Sequence, residues 1–248
     1  MLDLADVDGT VAAVSLNDDD GAMVWNGRIG QEDVAKAKMA GLSIIDDEVC
    51  REASKQEIIR RYFKTACLVR QGLASEAELQ KIENLMRQLK LEPENRPVVL
   101  AALKRAEATG QPAAALELPD GTIVTGRTSE LLGASSALTL NALKMLAGIP
   151  HEVKLISPTV IAPIQTLKTD YMQSRNPRLH TDEMLVALAI SAATDENAMR
   201  AMQKLDELSG CDLHSSVILG TVDDSVFKRL GVNVTCEATY EDNNLYHK

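Results

Sequence analysis

Two of the four cysteines and one of the four histidines lie in one short segment, residues 211–237 (CDLHSSVILGTVDDSVFKRLGVNVTCE). A cysteine with an imidazole in hydrogen-bond reach is the arrangement of a nucleophilic pair. Cys211, His214, Cys236 and Glu237 also include ligand types that zinc uses. A third interpretation is structural. The segment is a strand, turn, helix and strand, and its polar side chains form hydrogen bonds with neighbouring groups at the end of a strand.

The strand periodicity limits which of these side chains can act together. Side chains on a strand alternate, so His214 and Ser216 share one face, whereas Cys211 points to the other if the strand includes it. Open α/β sheets bind ligands where their strands end. We therefore take His214, Ser216 and Cys236 as candidate catalytic residues and predict no metal site.

A second candidate site is the stretch GRTSELLGASSA, residues 126–137. Free backbone amides at a helix start bind anions, and an arginine can add a bidentate contact to phosphate or carboxylate. Arg127, Ser129, Ser135 and Ser136 are therefore candidate anion-binding residues. The alternatives are ordinary helix capping and, since the serines follow Gly133, a serine nucleophile turn, although no strong strand precedes it.

A third candidate is DYMQSRNPRLHTDE, residues 170–183, which precedes a helix that Thr181 is predicted to cap. Arg175 and Arg178 could bind an anionic group, and His180 is a further candidate catalytic residue. The alternative is a solvated helix entrance. The spacing of His180 and the acids after it is not the i, i+4 spacing of zinc-binding helices.

The elements that would position these residues form two predicted units after an irregular N-terminal arm or hairpin at residues 1–45. Residues 46–112 read as a helical bundle subdomain of three helices. Residues 113–248 read as an α/β layered C-terminal domain, in which strands alternate with helices. The predicted strands are a hairpin at residues 113–127 around a Pro-Asp-Gly turn, and residues 151–157, 212–219 and 232–237.

Capping residues and apolar spacing set the predicted helices of the bundle. Asp46 or Asp47 caps the first, Ser75 with Glu78 forms a capping box for the second, and Asn95 before Pro97 opens the third. The second helix is predicted to contribute five core residues: Leu79, Ile82, Leu85, Met86 and Leu89.

The composition is that of a globular protein with an ordinary core. The 248 residues are 45% hydrophobic, 25% charged and only 3% aromatic, with a net charge of −10. That charge repels phosphate backbones, so nucleic acid is not an expected partner. No apolar run is long enough to span a membrane, and four scattered cysteines favour a reducing, cytoplasmic location.

Long ordered phrases, rather than one motif, connect the chain to a known family. RPVVLAALKRAEATGQPAAALELPDGTIVTGR, NPRLHTDEMLVALAISAA and GCDLHSSVILGTVD resemble the C-terminal half of an uncharacterised bacterial family, domain of unknown function 1846, also called UPF0371. The resemblance runs from about residue 46 to 240. It implies proteins twice as long, with a glycine-rich, phosphate-loop-like front half and members labelled ATP-dependent peptidases. It brings no established catalytic residues.

Two functional hypotheses follow. In the first, the chain is the C-terminal lobe of a larger nucleotide-dependent or hydrolytic enzyme, without the front-half phosphate-binding loop, since no G-x-x-x-x-G-K-[ST] occurs. In the second, it is a non-catalytic lobe for oligomerisation or small-anion binding. The expected partners are a small anionic ligand and either a second copy or a missing N-terminal half; no cofactor can be named. Catalysis predicts that Arg127, His180, His214 and Cys236 share one cleft.

Overall fold

The computed structural model describes residues 11–18, 21–29 and 47–241. The helices are α1 (Asp47–Arg70), α2 (Glu76–Leu89), α3 (Pro97–Thr109), α4 (Ala134–Leu146), α5 (Pro158–Thr166), α6 (Thr181–Ala192), α7 (Glu196–Met202) and α8 (Thr221–Arg229). The strands are β1 (Val11–Asp18), β2 (Gly21–Ile29), β3 (Ala113–Glu117), β4 (Ile123–Arg127), β5 (Asp212–Ser215) and β6 (Asn233–Cys236). Short 3₁₀ turns lie at Pro93–Asn95 and Leu205–Leu208, and a π turn follows α5.

Strands β1 and β2 form an antiparallel hairpin within the predicted N-terminal arm, with Val11 opposite Ile29. The remainder of that arm, and Asp46 as a predicted cap, lie outside the described residues.

The other four strands form one sheet in the order β4-β3-β5-β6. The predicted hairpin is β3 and β4, which turns at Gly121 with a φ of +83°, a conformation that glycine accepts without steric cost. Strand β5 is antiparallel to β3 and parallel to β6, and α8 makes the crossover between the two parallel strands. This mixed sheet with its helices confirms the predicted α/β fold class.

Helices cover both faces of the sheet, as the burial of alternate β3 side chains in two different hydrophobic clusters shows. Ala114 and Leu116 belong to the main core, which includes Leu138 of α4 and Phe227 of α8. Ala115, on the opposite face, packs against α3. The sheet is therefore the middle of three layers.

The helical part differs in detail from the predicted bundle. Helices α1 and α2 pack together around Ile59, Phe63 and Met86. Leu89, a predicted core residue, is the last residue of α2, and its side chain is 40% exposed at that helix end. Helix α3 packs directly on the sheet and also reaches the α1–α2 cluster through Val99.

Two helix caps were predicted at the wrong residue. Arg96 precedes α3, and Asn95 instead accepts a hydrogen bond from the Glu92 amide within the preceding turn. His180 precedes α6, and the Glu183 carboxylate accepts a hydrogen bond from its amide in a capping box. In both cases the observed N-cap is the residue next to the predicted one.

Two predicted strands were wrong in whole or in part. Residues 151–157 form turns, and their apolar Leu155 and Ile156 are buried in the main core without a sheet partner. The strand predicted at residues 212–219 ends at Ser215, because the chain then leaves the sheet toward α8. An apolar run without a partner strand packs as a connecting segment.

Gly126 in β4 sets the position of α4. A Cβ at this residue would lie 2.2 Å from the Leu138 nitrogen and 2.5 Å from its Cα. The absence of a side chain therefore lets the α4 backbone approach the sheet more closely than any other residue would permit. This contact places the start of α4 beside the ends of β4 and β5.

We predict that Gly126→Ala lowers the free energy of unfolding by roughly 1–3 kcal/mol or more, because the new methyl group forces α4 away from β4. Urea denaturation would measure the loss. Gly220→Ala is the matched control, since a Cβ there meets no atom within 4 Å, and its loss should stay near or below about 1 kcal/mol. Equal losses in the two variants would contradict the close approach.

Candidate functional site

A cavity of about 270 Å³ opens at the carboxyl end of β5. Strands β4 and β5 are each antiparallel to β3, so they run in the same direction and end at the same edge. In α/β sheets this edge is where ligands bind. The lining residues are Gln71, Pro112, Thr128, Gly133, Ala134, Ser135, Ser215, Val217, Ile218, Leu219, Gly220, Thr221, Asp223, Tyr240 and Glu241.

The start of α4 forms one wall of this cavity. Its N-cap is Gly133, which has no side chain to accept hydrogen bonds from the first turn. The amide groups of Ala134 and Ser135 consequently have no acceptor within residues 47–241. The first amides of a helix point outward along its axis and carry partial positive charge.

Two buried hydroxyl groups lie at the same wall. Ser135 and Thr128 are each only 3% exposed and both line the cavity. Neither side-chain oxygen hydrogen-bonds to another residue of the described chain. Neither oxygen is among the fully buried side-chain atoms without a partner, so both are reached from the cavity, and a hydroxyl can donate one hydrogen bond and accept others. These two hydroxyls are therefore available to a ligand.

The start of α8 forms the opposite wall. Its N-cap is again a glycine, Gly220, without a side-chain cap, and the Thr221 and Val222 amides have no acceptor in the described part of the chain. Gly220 and Thr221 line the cavity together with the start of α4. Two helix N-termini thus converge on one cavity, which favours an anion there.

Asp223 lines the cavity, but its charge is paired. One carboxylate oxygen accepts a hydrogen bond of 2.8 Å from the Thr181 amide, and the other lies 3.6 Å from Nδ1 of His180. Burial opposes ionisation of Asp223, but these contacts outweigh it and lower its pKa. The same carboxylate raises the pKa of His180 against the effect of burial. Both oxygens of the Asp223 carboxylate are therefore engaged by residues at the start of α6.

The segment after β6 closes the cavity from a third side. Glu241 forms an ion pair of 2.8 Å with Arg178, and the Arg70 guanidinium lies 5.7 Å from the centre of the Tyr240 ring. Thr239 donates a hydrogen bond of 3.1 Å to the Ser216 carbonyl. These contacts hold the segment across the end of β5.

His214 lies away from this cavity, on the sheet face that α1 and α3 cover, and its side chain is fully buried. Nδ1 is 2.9 Å from Oγ1 of Thr235, and Nε2 is 3.1 Å from Oε1 of Glu237. The Phe63 ring packs on the imidazole with 4.7 Å between ring centres. The predicted strand is correct at this residue, but the ring does not reach an opening.

The contacts of His214 fix its tautomer. Burial lowers the pKa of His214, although Glu237 opposes the shift, so the ring is neutral. A carboxylate can only accept a hydrogen bond, so the single ring proton lies on Nε2 facing Glu237. In that tautomer Nδ1 is an acceptor for the single Thr235 hydroxyl proton, for which the Leu213 carbonyl, 2.9 Å from the same oxygen, competes. This arrangement makes His214 a hydrogen-bonded structural group rather than a base open to a substrate.

Arg96 completes the buried network. Its side chain is fully buried, and Nη1 lies 2.7 Å from Oδ2 of Asp212. Its other nitrogens donate hydrogen bonds to the Thr235 hydroxyl and to the carbonyls of Asn233 and Leu213. Burial lowers the pKa of Arg96, and Asp212 opposes that shift. A single guanidinium therefore joins the start of α3 to both parallel strands.

The three cysteines whose side chains the structure describes, Cys67, Cys211 and Cys236, lack the features of activated thiols. Burial raises the pKa of Cys236 to about 12 and that of Cys67 to about 11, and it also raises the pKa of Cys211. The Cys67 thiol donates to the Cys236 carbonyl at 3.4 Å. A nucleophilic cysteine needs a lowered pKa. The Cys–His hypothesis is thus disfavoured, because the thiols stay protonated and His214 bonds to Thr235 and Glu237.

The predicted anion-binding residues separate in the structure. Ser135 lies in the cavity, whereas the neighbouring Ser136 hydroxyl points elsewhere and donates to the Leu179 carbonyl at 2.8 Å. Ser129 accepts a hydrogen bond from the Leu132 amide in a turn. Exposed Arg127 donates to the Thr128 carbonyl. Only one of these four residues lines the cavity.

The other predicted residues are also dispersed. Arg175 is exposed, and Arg178 is engaged by Glu241. His180 contacts Asp223 from behind the cavity wall. Ser216 lines an adjoining cavity, where its hydroxyl accepts a hydrogen bond from the Ala113 amide.

Sequence reasoning missed Gly220 and Arg96, and it included Thr128 only as part of the candidate stretch at residues 126–137. A glycine and threonine between a strand and an acidic helix start, as at Gly220-Thr221, are a signal that could have identified the second helix N-terminus. No local pattern marks Arg96, because its partners lie more than 100 residues away along the chain.

Across residues 49 and 51–241, whose side chains the structure describes, no group of three or more His, Cys, Asp or Glu residues is arranged to hold a metal ion. Over the described helices, none has both the length and the apolar character needed to cross a bilayer.

Replacing the buried guanidinium should be strongly destabilising. We expect Arg96→Met to lower the free energy of unfolding by about 3 kcal/mol, because Asp212 loses its main partner and two strand carbonyls lose donors. Lys228→Met, which breaks an exposed pair with Asp224, is the control and should cost less than about 1 kcal/mol. Chemical denaturation tests both, and similar losses would refute the role given to Arg96.

The raised thiol pKa values predict slow alkylation. At pH 8 a shift from 9.0 to about 11 reduces the Cys67 thiolate, and its alkylation rate, about a hundredfold relative to the unfolded chain. Mass spectrometry of iodoacetamide-treated protein would read each cysteine separately. Because the thiols of the unfolded chain lose their protons at a lower pH than those of the folded chain, the free energy of unfolding should also fall as the pH rises above about 9. Alkylation of Cys67 or Cys236 at the unfolded rate would contradict this.

Comparisons with known proteins match most of the chain to one family. The family model described as "Domain of unknown function DUF1846, C-terminal" matches residues 94–246, and "Domain of unknown function DUF1846, N-terminal" matches residues 33–90. The boundary between the two matches falls between α2 and α3.

Curated relatives give the same assignment. A UPF0371 protein of Corynebacterium aurimucosum is 54% identical over 211 residues, and one of Corynebacterium efficiens is 52% identical over 210 residues. A UPF0371 protein of Streptococcus thermophilus is 51% identical over 210 residues. Each match covers 85% of this chain and 42% of the relative, so the chain spans less than half the length of these relatives. The chain belongs to the DUF1846 family, whose curated relatives here are called UPF0371 proteins.

Proposed function

We propose that this lobe binds a small anionic ligand, most simply one with a phosphate group, in the cavity at the end of β5. One observation carries the proposal: two helices without side-chain caps begin at the same cavity, beside the unpartnered hydroxyls of Ser135 and Thr128.

The electrostatics of the cavity favour an anion in spite of the chain's net charge of −10. Each helix N-terminus carries the equivalent of roughly half a positive charge, and its free amides donate hydrogen bonds. Phosphate oxygens accept several hydrogen bonds at once, so one group can satisfy amides from both α4 and α8. Within the cavity, the local electrostatic field of the two helix N-termini, rather than the net charge of the whole chain, determines whether an anion binds.

The two carboxylates in the cavity wall do not cancel this effect. Asp223 is paired with His180 and the Thr181 amide, and Glu241 is paired with Arg178. Their side chains are largely buried, so solvent screens these contacts weakly and each carboxylate stays coupled to its own partner.

The alternative of a hydrolytic or nucleotide-dependent lobe has less support. Its predicted catalytic residues were expected to share one cleft, but His214 lies on the opposite face of the sheet, Cys236 is a protonated thiol, and Arg127 is exposed. Because the chain spans 42% of its relatives' length, catalysis in the whole protein stays a separate hypothesis. A cytoplasmic location, and association with a second copy or with a further segment, are also separate hypotheses.

Ser135 provides the direct test. We predict that the protein binds inorganic phosphate saturably and that Ser135→Ala weakens binding about tenfold, the effect of losing one hydrogen bond to a charged group. Ser135→Asp should abolish binding, since it adds a negative charge between the helix ends. Isothermal titration calorimetry at low ionic strength would measure both.

Ser129→Ala is the matched control, because that hydroxyl lies in a turn outside the cavity, and its affinity should equal that of the parent protein. The proposal fails if phosphate does not bind, or if Ser135→Asp and Ser129→Ala bind it equally well.

A further inference from the structure

One ion pair at the wall of the anion cavity contains a histidine. Asp223 lines the cavity from the first turn of α8, the same turn that carries the free amides of Thr221 and Val222. One oxygen of its carboxylate lies 3.6 Å from Nδ1 of His180, the N-cap of α6, and both side chains are largely buried. Histidine is the side chain whose ordinary pKa lies near neutral pH. The charge of this pair therefore depends on the pH.

The other charged groups that face His180 pair with each other. Lys168, in the π turn after α5, forms an ion pair of 2.6 Å with Glu183 of α6. The same Glu183 oxygen accepts a hydrogen bond from the His180 amide. The charges of Lys168 and Glu183 have opposite effects on the imidazole. Asp223, which faces it from α8, is consequently the neighbour that determines its protonation.

The two protonation states of His180 present different charges to the cavity. The hydrogen bond and charge of Asp223 raise the pKa of His180 against the effect of burial. While His180 is protonated, its positive charge offsets the Asp223 carboxylate. Once the proton has left to solvent, Asp223 remains ionised, because its own pKa is lowered by the contacts with His180 and Thr181. The carboxylate then repels an anion that is bound at the same helix end.

We infer that the His180–Asp223 pair makes anion binding at this cavity pH-dependent, with the anion held more tightly while His180 is protonated and released as its proton goes to solvent. The geometry carries the inference, because one carboxylate both contacts an imidazole and lines the cavity. This inference rests on the proposed function and adds a means of regulating it.

His180→Gln provides the main test, because glutamine is neutral at every pH. Isothermal titration calorimetry would measure the affinity for inorganic phosphate of the parent protein and of this variant between about pH 5.5 and 9. We expect the parent to bind roughly tenfold more tightly at the lower pH and equally at the higher pH. A phosphate group itself loses a proton in this range, but this affects both proteins alike, so the ratio of their affinities reports on His180.

Two further variants separate charge from structure. Asp223→Asn keeps an oxygen for the Thr181 amide but removes the negative charge, so near pH 9 it should bind phosphate roughly tenfold more tightly than the parent. His151→Gln is the matched control, since His151 is exposed and does not line the cavity, and it should match the parent at each pH.

The outcomes distinguish this inference from the proposed function. If phosphate binds but the ratio of parent to His180→Gln affinity is the same at every pH, His180 has only a structural role and the inference is wrong, while the anion site stands. Asp223→Asn that binds no more tightly than the parent near pH 9 would also overturn it. If the parent binds no phosphate at any pH, the inference and the proposed function are both wrong.

Discussion

Every α-helix begins with backbone amides that its own turns cannot satisfy, and this constraint governs the functional edge of the DUF1846 lobe. Three helices of the described chain meet it locally, because Ser75, Ser157 and Asp195 cap them with their side chains. Helices α4 and α8 instead start after glycines and direct their amides at one cavity. The fold thus concentrates unsatisfied donors in one place, which is how α/β proteins commonly build anion sites.

The rest of the structure keeps those two helix ends in position. Gly126 lets α4 approach β4, and the parallel crossover from β5 to β6 fixes where α8 starts. On the opposite sheet face, Arg96 joins both parallel strands to α3, and the His214 ring fills the space beneath α1. His214, a candidate catalytic residue in the sequence, therefore stabilises the sheet, and the sheet in turn positions the two helix N-termini that line the cavity.

The sequence predicted the architecture better than it predicted the site, for reasons that particular residues show. Turn chemistry and capping are local, so the β3–β4 hairpin and the Ser75 capping box were found. Strand alternation placed His214 on one face of β5, but it could not show that α1 buries that face, because Phe63 is 151 residues away. Adjacent Ser135 and Ser136 show the same limit: both are at a helix start, and packing against Leu179 decides which one reaches the cavity.

The most direct test follows the backbone amides themselves. In a ¹⁵N-resolved NMR titration with inorganic phosphate, we predict that the amide resonances of Ala134, Ser135, Thr221 and Val222 shift together along one saturable curve. Shifts at only one helix end, or shifts that are spread over exposed lysines and arginines and never saturate, would contradict a shared site between α4 and α8.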